Sequence, residues 1–145
     1  MELLNPNATV VELIQFSLAP VFLIVGIGQI LNVVTGRLAR VIDRARWFDL
    51  KKAEGLSFRP EHNRELEALR RRAVYANWAI TFLTGAVVIV CIDVILLLIN
   101  GLVAMHLDNF IIGLFITTMV LITAGLISFF IEVSIANATL KITKD

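Results

Sequence analysis

The sequence is short of most groups that carry chemistry. Its one cysteine, Cys91, excludes an intrachain disulfide, and no CxxC or paired Cys/His spacing is present to hold zinc. There is no GxSxG, no HExxH and no glycine-rich phosphate cradle, so the common hydrolase, zinc-protease and nucleotide sites are excluded. Only 17% of the 145 residues are charged, where a soluble domain carries roughly 25%. Charge of one sign is lacking too. Thirteen Lys and Arg against twelve Asp and Glu leave a net charge of +1, which sets up no global field for nucleic acid or an acidic substrate. What the chain has in excess is apolar residues, at 58%. That is more than one small core can hide, and it excludes an ordinary soluble globular protein.

Three apolar runs organise the chain, at 13–35, 73–99 and 110–136. Each has 23 to 27 residues. At ~1.5 Å per residue such a run crosses a hydrocarbon core about 30 Å thick. With no water there for free backbone groups, the runs are expected to be helices. Residues 1–12 contain no Lys or Arg, and the first run is too long for the apolar part of a signal peptide, so it reads as a retained span. Eleven of the thirteen basic residues lie between Arg37 and Arg72, and the other two are Lys141 and Lys144. The positive-inside rule then places the N-terminus outside and both the first connection and the C-terminus in the cytoplasm. The expectation is an all-α integral membrane protein of three transmembrane helices, forming one membrane domain over 1–145.

Local signals refine this layout. Thr9-Val-Val-Glu12 reads as a capping box opening the first helix, and Pro20 is expected to kink it. Leu38, Val41, Ile42, Ala45 and Phe48 continue an apolar stripe past Thr35, and Leu66 and Leu69 answer it beyond a turn marked by Gly55 and Pro60. Residues 37–72 therefore read as a cytoplasmic helical hairpin that extends the first two helices. Glu67 and Arg71 stand in the favourable i,i+4 order within it. Six acids are interleaved with its arginines, and Trp47, Phe48 and Phe58 suit packing or interfacial anchoring better than nucleic-acid contact. Contact with anionic lipid accounts for the basic charge.

The segment Gly26-Ile-Gly-Gln-Ile-Leu-Asn-Val-Val-Thr-Gly-Arg-Leu-Ala-Arg-Val-Ile-Asp-Arg-Ala-Arg46 resembles the signature of a bacterial family of small three-span proteins, domain of unknown function 2721. Arg70-Arg-Arg-Ala-Val-Tyr-Ala-Asn77 and Phe130-Ile-Glu-Val-Ser-Ile-Ala136 resemble its later motifs. The resemblance covers most of the chain. It implies the three-span architecture and a bacterial inner membrane, and it assigns no functional residue. Asp93 departs from the family pattern, standing where an apolar residue is expected.

Polar residues inside the runs are the candidate functional groups. Gln15, Phe22, Gln29 and Gly36 recur every seven residues, with Asn32 beside them. They form either an interhelical packing face or the lining of a water-filled path. In the second run Asn77, Thr81, Thr84 and Cys91 share a face. Asp93 lies about 160° round from Asn77, together with Ala79, Phe82 and Ala86. Two demanding faces on one helix suggest a homo-oligomer. Asp93 is either functional or hydrated near the outer surface, and a ring of such residues would favour cations. Glu132, four residues inside the third run's inner end, is placed to pair with Arg37 or Arg72, at the level of an interfacial belt of Tyr75 and Trp78. A depth difference of ~24 Å between Asp93 and Glu132 excludes a paired-carboxylate mechanism. His62 and His106 fall on opposite sides of the bilayer and share no haem.

These readings lead to an oligomeric, channel-like membrane protein conducting cations through a polar path near Gln15, Gln29, Asn32 and Asp93. The alternative is a structural or accessory protein whose cytoplasmic hairpin docks a protein partner, with no conductance. No catalytic residue, metal or cofactor is expected, and no nucleic-acid partner.

Overall fold

The computed structural model describes residues 6–53, 60–103 and 107–142. These residues form three helices, α1 (Pro6–Ala53), α2 (Pro60–Val103) and α3 (Asp108–Ile142), and no strand occurs among them. All three are long and apolar enough to cross a membrane. Gly55, Phe58, His106 and Lys144, and with them the turn expected at Gly55, lie outside the described residues.

The described part of α1 opens at Pro6, three residues before the Thr9 cap read from the sequence, so Thr9 lies inside the helix and is not its cap. The described part of α2 opens at Pro60. Further on, α1 continues helical through Pro20.

The packing repeats every seven residues. On α1 the buried side chains are Ile27, Val34, Val41 and Phe48. On α2, Leu69, Ala76, Leu83 and Val90 alternate with Ala79, Ala86 and Asp93. On α3, Thr118, Gly125 and Glu132 are buried at the same interval. A strict 3.5-residue period keeps one seam facing its partner, as in a coiled coil. The partners run antiparallel. Ile27 packs with Leu83 and Ala86, Val34 with Ala76 and Ala79, and Val41 and Phe48 with Leu69. α2 thus lies between α1 and α3.

Small residues make the approach close. A Cβ on Gly125 would stand 2.9 Å from Leu83 Cγ and 3.4 Å from the Ala79 carbonyl oxygen, so only glycine fits where α3 crosses α2. At the other end of that pair, Asn100 fastens the connection. Its Nδ2 donates to Asp108 Oδ1 at 2.8 Å, and its Oδ1 accepts from the Leu107 N–H at 3.2 Å. Asp108 occupies the first turn of α3, where the helix dipole favours negative charge.

At ~1.5 Å per residue α1 is about 72 Å long, more than twice a hydrocarbon core. Its surplus packs on α2. Val41 and Phe48 meet Leu69, Leu66 and Ala73, while Arg44 reaches Glu65 at 3.1 Å and stands 5.1 Å from the ring centroids of both Trp47 and Phe48.

Candidate functional site

Charge inside the bundle is concentrated at one point. Glu132 projects from α3 into the seam and is 1% exposed. Arg37 from α1 donates its Nε to Glu132 Oε2 at 3.0 Å. Arg72 from α2 donates its Nε to Oε1 at 3.0 Å, and its Nη2 stands 2.9 Å from the same oxygen. One carboxylate therefore ties together all three helices. Sequence depth suggested Arg37 or Arg72 as its partner, and the structure brings both. The Arg37 guanidinium also lies 5.8 Å from the Phe129 ring centroid. Both oxygens of the buried acid carry charge-assisted hydrogen bonds, which is what makes its burial tolerable.

Asp93 is in a different setting. It is 5% exposed, on the inner face of α2 with Ala79, Ala86 and Val90, and its Oδ1 has no hydrogen-bond partner. Thr118 of α3, fully buried, has an unpartnered Oγ1 as well. The sequence offered no signal for Thr118, because threonines are scattered along α3. The antiparallel register that sets Gly125 between Ala79 and Leu83 puts Thr118 level with residues 86–90, and no hydrogen bond joins it to Asp93. Asp93 is 21 residues from Arg72 on the same helix, which puts it ~31 Å from the Glu132 cluster. No acid pair forms.

The remaining candidates face outward. Gln15, Gln29, Asn32 and Asn77 are all exposed, and none hydrogen-bonds to another described side chain. Hydroxyls in the same helices differ: Thr35, Thr81, Thr117 and Thr123 each donate to the carbonyl four residues earlier at 2.8 or 2.9 Å. A threonine is satisfied by its own helix, whereas a carboxamide with two donors is not. Gly28 and Gly36 beside these amides have nothing within 4 Å of an added Cβ, and Phe22 on the same stripe is 71% exposed. The four polar-path candidates therefore separate, with Gln15, Gln29 and Asn32 outside the bundle and Asp93 inside it.

Trp78 is half exposed at the level expected for an interfacial belt and stacks on Phe82, with ring centroids 5.4 Å apart. Among the described residues no group of three or more His, Cys, Asp or Glu could hold a metal. An open apolar groove along α3, lined by Phe115, Met119, Val120, Thr123 and Ile127, has no ionisable side chain.

A family model described as Protein of unknown function (DUF2721) matches residues 17–142. The chain belongs to that family. No curated protein and no solved structure matches it.

Proposed function

We propose that the chain, a member of this family of unknown function, is the subunit of a homo-oligomeric, channel-like membrane protein in which the outer face of α1 meets a neighbouring copy and lines a polar path. The single observation carrying this reading is the set of carboxamides, Gln15, Gln29 and Asn32, turned away from the protomer's own helices with no described partner. In hydrocarbon an unsatisfied amide is costly, and a second helix or water removes that cost. The open space at Gly28 and Gly36 leaves room for a close approach. Asp93, buried within the protomer, is left off the path, so the cation preference argued from a ring of Asp93 is not carried forward. The density of Lys and Arg between Arg37 and Arg72 supports a cytoplasmic position for the α1–α2 extension, with the N-terminus outside.

The test is ion flux in proteoliposomes, comparing the wild type with Gln29→Leu and Asn32→Leu. Flux that the substitutions change in an intact oligomer supports the path. Silence across pH, voltage and membrane tension points to the second reading, an accessory protein that docks a partner. That reading is favoured by Trp47 and Leu50, 44% and 67% exposed on the charged extension of α1.

A further inference from the structure

The cluster around Glu132 is unbalanced. One carboxylate holds two guanidiniums, so the buried group carries one surplus positive charge. Its hydrogen bonds occupy Nε of Arg37 and Nε of Arg72, and Nη2 of Arg72 is held in the ion pair 2.9 Å from Oε1. Both Nη groups of Arg37 and Nη1 of Arg72 have no hydrogen-bond partner among the described residues. These side chains are 29% and 20% exposed, so the unused donors are within reach from outside. Depth is a second, independent observation. Arg37 and Arg72 stand just beyond the apolar runs ending at Thr35 and beginning at Ala73, where lipid phosphates lie.

We infer that Arg37 and Arg72, held in place by Glu132, form a binding site for the phosphate of an anionic phospholipid headgroup. A guanidinium offers a planar fork matched to phosphate oxygens, and a fork already fixed by a buried carboxylate loses little side-chain freedom on binding. Surplus charge in a partly desolvated setting attracts an anion more strongly than an exposed arginine does. The Phe129 ring, 5.8 Å from the Arg37 guanidinium carbon, adds a cation–π contact that helps to hold the fork in place. The inference concerns a single protomer and does not depend on oligomerisation or conductance.

Native mass spectrometry of the detergent-solubilised chain, titrated with phosphatidylglycerol, phosphatidylcholine or inorganic phosphate, tests the site. The expected result is retention of phosphatidylglycerol over phosphatidylcholine. Arg37→Lys and Arg72→Lys keep the charge but lose the fork, and each is expected to weaken retention roughly tenfold. Arg71→Gln removes one full positive charge from an exposed arginine paired with Glu67, and is expected to change nothing. Glu132→Gln separates positioning from bulk charge. It raises the net positive charge while releasing the forks, so it is expected to weaken retention in protein that keeps its helix content. Equal retention of the two lipids, lysine variants that bind like the wild type, or tighter binding by Glu132→Gln would overturn the site. Inorganic phosphate competing at the lipid's own concentration would overturn its assignment to a headgroup.

Discussion

At the residue scale, the buried polar side chains differ in kind: Glu132 is partnered on both oxygens, whereas Asp93 Oδ1 and Thr118 Oγ1 have no hydrogen-bond partner. Glu132 was legible in the sequence because an acid four residues inside an apolar run, level with two arginines, has one economical arrangement. That it binds both arginines was not legible, since depth gives height and not azimuth. Removing the carboxylate leaves two guanidiniums facing each other in a partly desolvated seam. Glu132→Gln is expected to cost about 3 kcal/mol, read by denaturant titration in micelles, whereas Arg71→Gln should stay within about 0.5 kcal/mol. Gly125 gives a second prediction. Gly125→Ala drives a Cβ against Leu83 Cγ and a backbone carbonyl, and is expected to destabilise by roughly 1–3 kcal/mol. In the Leu83→Ala background the penalty should largely vanish, because the obstructing side chain is gone; a double-mutant cycle measures the coupling. Thr118 had no such legibility, as nothing in an apolar run marks which threonine turns inward.

At the scale of the element, the three helices followed from apolar length, but α1 and α2 run well beyond their apolar runs. Their packing faces followed less well. The 3.5-residue repeat from Ala76 through Ala79, Leu83, Ala86 and Val90 to Asp93 is present in the sequence. It is masked because the residues between them, such as Val88 and Ile92, are as apolar as those in the seam. Inside lipid, an outward side chain has no reason to be polar, so the pattern that marks the inner face of a soluble helix is lost. Beyond the apolar runs the ordinary rule returns. There Val41, Phe48 and Leu69 alternate with charged residues, and the antiparallel extension was readable. Phe48, 2% exposed, anchors it. Phe48→Ala is expected to open the pairing of residues 41–53 with α2 at a cost of about 3 kcal/mol, seen as faster amide exchange there with protection at 76–90 unchanged. The capping box suggested a start at Thr9, where the chain is already helical from Pro6.

At the scale of the whole molecule, the proposed subunit contact falls on the outer face of α1. Among the described residues that face presents three carboxamides, Gln15, Gln29 and Asn32, and three glycines with open space, Gly26, Gly28 and Gly36. Gly28 and Gly36 thus differ from Gly125 in a way that separates the protomer's stability from association. Gly28→Leu is expected to leave the protomer's unfolding within about 1 kcal/mol of wild type, since nothing occupies that space, while shifting the detergent-solubilised protein from oligomer to monomer. Size-exclusion chromatography with light scattering reads the change.

The most direct test of the outer face of α1 as a subunit contact is disulfide cross-linking in native membranes. Gln29→Cys and, as an inward-facing control, Val34→Cys would each be placed in a Cys91→Ser background. Gln29→Cys is expected to join two copies of the chain on mild oxidation, and Val34→Cys is not. Gln29→Cys chains that stay monomeric under oxidation, despite normal membrane insertion, would contradict it.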